Sequence, residues 1–506
     1  MAFVQNFPFF SIILTIFSGP LSTMLSNKKA KIWNMILIGI VCALNLAVLA
    51  FVISTGESYT YMMGHFPAPW GNEIRVGVLE ALMAVFFCVV MFLCVISGGQ
   101  ERAREIEESK QNLFYVMVNL LLCSLIALVY TNDIFTAYVF VEINTLSACG
   151  LIMIKNKLHE GRTLEASVRY MIMSLLGSGM LLLGICFLYG LTGHLLMSNM
   201  QEAIANLVAT GQYQIPLLVA ICLLSVGLAI KSALFPFHSW VPDAYGYATL
   251  SSASILSSMV SKGYIFLLIK IFFRVIGFEV IIGSHVLNVL FIFGIIGMIM
   301  GSLDAIQENS IRRMIAYSSV AQIGYIYMGL GLGTTAGVVA SIYHILSHAV
   351  TKALLFVSAY GLTNVSNNRR DFKQLTGAAY RNKLAGVAFT VGALSMVGFP
   401  LLSGFVSKVL FAQAAVGVSS TKMFFTLVAL AISTILNTVY FMKTVIRIYT
   451  PMDAETEKEK GFTRITAKED MGKAIAMICF VVMNLVLGVL SQPIIELIET
   501  GLAMFM

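Results

Sequence analysis

Hydrophobic runs close to the roughly 20 residues that a bilayer-spanning α-helix needs recur along almost the whole chain. Short polar segments separate them, and none is long enough to form a separate soluble domain. The pattern therefore predicts an all-α polytopic membrane protein. We place about 14 transmembrane helices by length, near 8–26, 33–53, 78–97, 113–130, 133–154, 168–192, 215–236, 249–275, 278–303, 311–331, 335–362, 383–410, 422–449 and 471–497.

Two of the predicted spans contain helix-breaking prolines. Pro236 and Pro400 each remove a backbone donor and clash with the preceding turn, so spans 7 and 12 are expected to be broken helices. A break at membrane depth is tolerated only where the freed backbone faces protein or water. Because the two breaks lie five spans apart, we expect two five-helix repeats, the second inverted in the membrane.

These repeats divide the chain into four parts. An N-terminal three-helix segment precedes the first repeat, which holds spans 4–8, and the inverted repeat holds spans 9–13. A cytoplasmic loop and the last helix complete the chain. The predicted boundaries are 1–112, 113–275, 276–449 and 450–506.

Composition agrees with the membrane class and excludes several chemistries. Of the 506 residues, 58% are hydrophobic and 11% charged, and the mean hydropathy is +0.87. The eight cysteines stand singly, with no C-x-x-C pair, and no nucleotide-binding fingerprint occurs. We therefore expect no cofactor, no metal site and no redox site of the chain's own.

Lysine and arginine concentrate in alternate loops, so the net charge of +7 is not a sign of nucleic-acid binding. Loop 193–214 between them has neither residue type. By the positive-inside rule the basic loops face the cytoplasm and both termini lie outside, in a prokaryotic cell (inner) membrane. The basic residues are Lys28, Lys29, Lys31, Arg102, Arg104, Lys110, Lys155, Lys157, Arg162, Arg312, Arg313, Arg369, Arg370, Lys373, Arg381, Lys383, Lys458, Lys460, Arg464 and Lys468.

Ionisable residues within or beside the spans form a succession of acid–base groups. Such groups are expensive inside a membrane and by default indicate function. Taken singly, each has a structural alternative: a lysine at a helix end that reaches the interface, a fixed ion pair, or a packed histidine. Together they predict a proton pathway of Glu142, Lys231, His238, Lys262, His344, His348, Lys352 and Lys408.

Four stretches carry a resemblance to a known family. They are K-S-A-L-F-P-F-H-S-W-V-P-D-A at 231–244, I-R-R-M-I-A-Y-S-S-V-A-Q-I-G-Y at 311–325, H-x-x-x-H-A-x-x-K at 344–352 and G-F-P-x-x-x-G-F-x-x-K at 398–408. Across spans 3–13 the chain resembles the antiporter-like subunits shared by respiratory complex I, Mrp-type Na⁺/H⁺ antiporters and membrane-bound hydrogenases. Phe-Pro-Ala-Pro-Trp-Gly at 66–71 resembles the Mrp D-type subunit and its hydrogenase counterparts.

The resemblance implies roles for individual residues. Glu142 and Lys231 would form the charged pair of spans 5 and 7. Lys262 and His348 would carry the proton along the midplane, and Lys408 would be the terminal lysine of span 12. The implied partners are other membrane subunits of one complex, including homologous antiporter-like subunits, together with lipid, protons and, as an open alternative, Na⁺.

Two other function classes stay open at this point. A stand-alone transporter of an organic solute would need a polar substrate pocket beside the broken helices, whereas the groups found there are acid–base residues. A non-conducting scaffold subunit would have no need of Lys231, Lys262 and Lys408 inside its spans. We therefore expect a proton-translocating subunit of a membrane complex, with Na⁺/H⁺ exchange left open.

Overall fold

The computed structural model describes residues 3–66, 71–155, 160–453, 460–465 and 470–505. Most of this part is helical, and 11 of its helices are long and apolar enough to cross a membrane. This confirms the predicted helical polytopic class, although a short β-hairpin departs from the all-α prediction. The stretch at 66–71 that resembles the Mrp D-type subunit falls largely on 67–70, outside the described residues, as do Lys157, Lys458 and Lys468.

The N-terminal part contains four α-helices and the one β-hairpin among the described residues. The hairpin strands pair antiparallel, with Tyr59 opposite Val76. A bridge between Ile74 and Thr131 joins the hairpin to the bundle. The elements are α1 (Phe7–Met24), α2 (Asn27–Thr55), β1 (Tyr59–Met62), β2 (Glu73–Val76), α3 (Val78–Ser97) and α4 (Gly99–Glu105).

The next part contains nine α-helices and a helical run that π-helical turns interrupt. Two such turns, Leu256–Val260 and Phe272–Ile276, interrupt the hydrogen-bond register of the helical run 250–276. The α-helices are α5 (Gln111–Tyr130), α6 (Ile134–Met153), α7 (Glu160–Thr192), α8 (Met197–Ala209), α9 (Gln214–Lys231), α10 (Val241–Tyr247), α11 (Leu250–Ile255), α12 (Ser261–Ile271) and α13 (Phe278–Gly283).

The C-terminal part contains nine more α-helices among the described residues. They are α14 (Val286–Gln307), α15 (Ile311–Gly331), α16 (Thr335–Asn364), α17 (Ala378–Arg381), α18 (Lys383–Val397), α19 (Ser403–Val416), α20 (Ser420–Tyr449), α21 (Met471–Val489) and α22 (Ser491–Ala503).

Eleven long apolar helices are fewer than the predicted spans, and three segments account for the difference. The span at 249–275 is divided by the π-helical turns, and the one at 383–410 consists of the shorter helices α18 and α19. The span at 311–331 is helical but is not among the 11 apolar helices. It contains Arg312, Arg313 and several hydroxyl residues, which lower its hydropathy.

Some predicted boundaries also differ from the helices. The predicted span at 278–303 is two helices, because His285 adopts a left-handed backbone conformation between α13 and α14. The last predicted span, 471–497, is likewise divided near Leu490 into α21 and α22. Pro493 lies in the first turn of α22, where the missing backbone N–H breaks no intrahelical hydrogen bond.

Helix α16 lies at the centre of the bundle, and its hydrophobic segment is wholly buried. It packs on α15, α18, α19 and α21, and also on α11, α3 and the π-helical turn at 256–260. A polar residue in this segment of α16 therefore faces protein rather than lipid.

Glycines permit the close approach of α7 and α9. A Cβ atom at Gly177 would lie 2.8 Å from the carbonyl oxygen of Gly227, and one at Gly227 would lie 2.7 Å from the carbonyl oxygen of Gly177. Small residues at such crossings let helix backbones meet without a hydrophobic driving force. The Cγ atom of Lys231 lies 3.0 Å from the Cβ position at Gly177, so a larger residue there would also press on Lys231.

Candidate functional site

Glu142 and Lys231 form an ion pair between α6 and α9. The Lys231 Nζ lies 3.4 Å from Glu142 Oε1, and it donates a hydrogen bond of 2.9 Å to Thr145 Oγ1. The Lys231 side chain is 0% exposed, whereas that of Glu142 is 26% exposed. The ammonium group is thus held between a carboxylate and a neutral hydroxyl, one helical turn apart on α6.

Neutral side chains extend this pair into the bundle. The hydroxyl oxygens of Thr145 and Tyr264 lie 3.3 Å apart, and Tyr264 donates to Asn144 Oδ1 at 3.0 Å. Asn144 in turn donates to Ser124 Oγ at 2.8 Å. On the other side, the Ser178 hydroxyl donates to the Glu142 carboxylate. The pair is therefore embedded in a network that reaches α5, α7 and α12.

Lys262 lies in the first turn of α12, directly after a π-helical turn. Its Nζ donates to the carbonyl oxygen of Ser257, and its side chain is buried. No ion pair joins it to a carboxylate in the described part of the chain. Single π-helical turns inside α-helices occur frequently at functional sites. Here the turn provides the carbonyl that holds a lysine without neutralising it.

The two histidines of α16 stack on one another. Their ring centroids are 5.8 Å apart with an interplanar angle of 14°, and His344 stacks on Tyr325 at 5.4 Å. His344 Nδ1 lies 3.0 Å from Ser407 Oγ. Its Nε2 and both ring nitrogens of His348 are buried without a hydrogen-bond partner among the described residues. Because buried polar atoms normally have partners, these nitrogens are candidates for proton transfer.

Lys352, two helical turns after His344 on α16, is fully buried against α15. Its Nζ donates to the carbonyl oxygen of Ile315 at 2.9 Å and to the Ser318 hydroxyl. These partners are neutral and do not titrate in the physiological range. The ammonium group is thus solvated by the protein but not compensated by a carboxylate of the described chain.

Lys408 lies beside the interruption between α18 and α19. Its Nζ donates to the carbonyl oxygens of Val397 at 2.6 Å and Met396 at 3.3 Å, and to Thr434 Oγ1 at 3.0 Å. The carbonyls are those of the last turn of α18, the negative end of its dipole. The Nζ also lies 5.9 Å from the centre of the Tyr325 ring, which connects Lys408 to the histidine stack.

His238 has a partner that sequence analysis missed. Its Nε2 lies 3.7 Å from Asp304 Oδ2 on α14, and its ring stacks on Phe235 at 5.3 Å. Asp304 follows the predicted end of its span at 303 by one residue, which places it in a predicted loop. His238 therefore pairs with a residue outside the predicted set.

The structure brings five of the other predicted residues together in two groups, whereas Lys262 and Lys352 hydrogen-bond to residues outside the predicted set. Glu142 contacts Lys231 in the first group. In the second, His344 contacts His348 and, through Tyr325, Lys408.

Other missed residues are neutral: Thr145, Tyr264, Ser178, Tyr325 and Thr434 contact the predicted residues. Asn144 contacts them only through Tyr264. Their one sequence signal is the spacing of a hydroxyl three residues after Glu142. Across the described residues no group of three or more His, Cys, Asp or Glu side chains is arranged to hold a metal ion.

Outside the spans, one loop lysine is also buried. Lys155 Nζ lies 2.9 Å from Glu105 Oε1, and the backbone N–H of Leu250 donates to the other carboxylate oxygen at 3.3 Å. Burial lowers the pKa of Lys155 to about 8, although the nearby Glu105 carboxylate acts to raise it. This cluster ties together the ends of α4, α6 and α11.

Comparison with known proteins gives consistent matches. Residues 131–435 match the family described as "NADH:quinone oxidoreductase/Mrp antiporter, TM". NADH-quinone oxidoreductase subunit N of Desulforudis audaxviator is 31% identical over 455 residues, covering 88% of this chain and 86% of that protein. The D-type subunit of the Na⁺/H⁺ antiporter of Alkalihalophilus pseudofirmus is 26% identical over 435 residues, with coverages of 86% and 83%.

Two solved structures are similar over nearly the whole chain. A chain of the membrane-bound sulfane sulfur reductase, an archaeal respiratory membrane complex, has a TM-score of 0.86 and 25% identity, covering 99% of this chain and 97% of that one. A chain of the Mrp complex from Dietzia sp. has a TM-score of 0.85 and 24% identity, with the same coverages. The second likeness concerns the fold alone.

Proposed function

Because the chain belongs to the NADH:quinone oxidoreductase/Mrp antiporter family, we propose that it translocates protons as one subunit of a multisubunit membrane complex. The family confirms the resemblance drawn from the sequence, and the chain is an antiporter-like membrane subunit. All eight predicted pathway residues lie within the matched range 131–435. Exchange of Na⁺ for H⁺ is a property of the complex as a whole in this proposal.

The observation that carries the proposal is the Glu142–Lys231 pair. Burial disfavours a charged lysine, and a nearby carboxylate compensates for that cost. When Glu142 accepts a proton, the compensation is lost, and Lys231 gives its own proton to the next group. When Glu142 is ionised again, Lys231 regains a proton. Interacting groups of this kind titrate together rather than independently.

Beyond the pair, the proton passes to Lys262, His348 and His344 and reaches Lys408, with Lys352 flanking the route. The stacked histidines and the Tyr325 ring support the last part of this order, because they join α16 to Lys408. The ring nitrogens of His348, which have no partner among the described residues, support a role as an intermediate carrier. His238 and Asp304 form a separate branch beside the first helix interruption.

The finer architecture is part of the same proposal. We assign about 14 spans, with two inverted five-helix repeats at 113–275 and 276–449 between the segments 1–112 and 450–506. Two interruptions support this assignment. Helix α9 ends at Lys231, before Pro236, and α10 follows it. Helix α18 ends at Val397, before Pro400, and α19 follows it.

The proposed orientation places both termini outside the cell. It is supported by the concentration of lysine and arginine in alternate loops. Cysteine reporters at the exposed positions Arg369 and Ser198 test it. Arg369→Cys is expected to label only when the cytoplasmic side is accessible, and Ser198→Cys from outside. The reverse pattern would overturn the orientation.

The proposed partners are other membrane subunits, including homologous antiporter-like ones. Large apolar side chains on the outer faces of α6, α7 and α9 remain exposed, for example Leu146 at 60%, Ile172 at 61% and Ile215 at 77%. In the membrane such faces lie against lipid or against another subunit.

Glu142→Gln tests the proposed function. The amide keeps the size of the side chain but cannot ionise, so proton flux in vesicles containing the complex is expected to fall to background. Glu165→Gln is the matched control, because Glu165 is 60% exposed and pairs at the surface with Arg169. Unchanged flux in an assembled Glu142→Gln complex would contradict the proposal. Binding of an organic solute with no proton flux would favour the transporter alternative.

A further inference from the structure

A groove of about 780 Å³ runs along the C-terminal half of α20, away from the proton pathway. Lys443, Arg447 and Thr450 line one end, and Ile435, Val439 and Ile446 contribute apolar surface. Helix α20 is among the 11 helices able to span the membrane, and Arg447 lies two residues before its end. The groove therefore combines charge at a helix terminus with apolar surface along the span.

The two basic residues are available to an anion. Lys443 and Arg447 are four residues apart, so their side chains lie on the same face of α20. Within the described residues neither forms an ion pair. The Arg447 guanidinium lies 5.9 Å from the centre of the ring of Phe372, a residue of the adjoining cleft, so Arg447 borders both the cleft and the groove. Glu308, which lies near both residues in an adjoining cleft, is engaged by Arg313 Nε at 2.9 Å.

The apolar part of the groove is exposed along the spanning region. Ile435 is 64% exposed, Val439 45% and Ile446 68%. From Ile435 to Lys443 the helix rises about 12 Å at 1.5 Å per residue. A chain of hydrocarbon laid along this face thus extends from the membrane interior to the two positive charges.

We propose that this groove binds one anionic phospholipid, with its phosphate between Lys443 and Arg447 and an acyl chain along Ile435 and Val439. Charge complementarity selects an anionic lipid, because the groove has two basic residues that form no ion pair within the described chain and no acidic lining residue among those described. Basic pockets beside transmembrane helices bind anionic lipid headgroups by this chemistry. The hydroxyl of Thr450 lies at the headgroup end, where it can contact the glycerol or the headgroup.

Native mass spectrometry of the complex tests the site. The protein is titrated with phosphatidylglycerol or phosphatidylcholine, and the variants are Lys443→Gln with Arg447→Gln, and Lys28→Gln with Lys29→Gln. The second double variant is the matched control, because it also removes two positive charges. Lys28 and Lys29 are exposed, and neither lines the α20 groove. A native gel verifies that each variant assembles.

Wild type and control are expected to retain phosphatidylglycerol in preference to phosphatidylcholine. The α20 variant is expected to bind phosphatidylglycerol roughly 30-fold more weakly, at about 1 kcal/mol for each lost basic residue. Equal binding by the α20 variant and wild type would overturn the site, as would equal affinity of wild type for both lipids.

A photo-crosslinking residue at Val439 provides an independent measurement that needs no change of charge. Irradiation of the native membrane is expected to attach a phospholipid mass to this chain. Crosslinking to another protein of the complex instead would show that a protein helix occupies the groove and would overturn the proposal.

Discussion

The two interrupted helices place a lysine in different electrostatic surroundings. At the first interruption Lys231 has a carboxylate partner, Glu142, at 3.4 Å. At the second, Lys408 is hydrogen-bonded to the carbonyl oxygens of Met396 and Val397 and to the hydroxyl of Thr434. No ion pair with a carboxylate is found for Lys408 among the described residues.

In the proposed mechanism, this difference gives the two lysines different tasks. The compensation of Lys231 depends on the protonation of Glu142, so its charge can be switched. The partners of Lys408 are fixed dipoles that do not titrate, so they stabilise its charge by a constant amount. We infer that the first interruption is where proton exchange is controlled and the second is where the proton is held at the end of the route.

The largest effect is expected from removal of the first lysine. Lys231→Ala leaves Glu142 without its partner, and breaking a buried ion pair costs about 3–5 kcal/mol. Because Glu142 is 26% exposed, we expect the lower end of that range. Proton flux is expected to fall to background while a native gel still shows assembled complex. Retention of more than half the flux would contradict the switching role.

Removal of the second lysine is expected to have a smaller effect on stability. Lys408→Ala leaves only neutral dipoles, and no uncompensated charge remains at this position in the described part of the chain. Flux is expected to fall at least tenfold, whereas the thermal midpoint of the complex decreases less than for Lys231→Ala. A larger loss of stability for Lys408→Ala would reverse the comparison.

Each lysine also has a hydroxyl partner, and removal of that hydroxyl tests how much the lysine depends on it. Thr145→Val keeps the shape of the side chain and removes the hydroxyl that accepts a hydrogen bond from Lys231. A hydrogen bond to a charged group contributes about 1.5–3 kcal/mol. Because Lys231 keeps Glu142 as a partner, we take the lower end and expect flux to decrease about tenfold. The measurement is the initial rate of proton flux per assembled complex, and an unchanged rate would exclude Thr145 from the switch.

Thr434→Val is the matched change at the second interruption and is expected to have the smallest effect. Lys408 keeps two carbonyl partners when the hydroxyl is removed. The same initial-rate measurement is expected to show less than a threefold decrease. A loss as large as that of Thr145→Val would mean that the two lysines are held equivalently.

Sequence reasoning found the charged residues but not their neutral partners. Glu142 and Lys231 stand out because an ionised side chain is rare in an apolar span. Thr145 and Tyr264 do not stand out, because hydroxyl residues are common in membrane helices and their contacts depend on helix rotation. Asp304 was missed because the predicted span ended one residue earlier.

For the fold, too, some features were predicted from the sequence and others were not. Hydropathy predicted the all-α membrane class and most of the long helices, since helix length follows bilayer thickness. It did not predict the π-helical turns of 250–276 or the division at His285. These features follow from tertiary packing and local backbone conformation, for which hydropathy contains no signal.

Proton flux through a Lys231→Arg complex tests directly whether Lys231 passes a proton on. Arginine keeps a positive charge beside Glu142, so the pair and the assembly are expected to persist. A guanidinium cannot be deprotonated in a protein and so cannot pass a proton on. We therefore expect an assembled complex whose proton flux in vesicles is at background. Flux equal to that of wild type in an assembled Lys231→Arg complex would contradict proton transfer through Lys231 and identify it as a fixed structural charge.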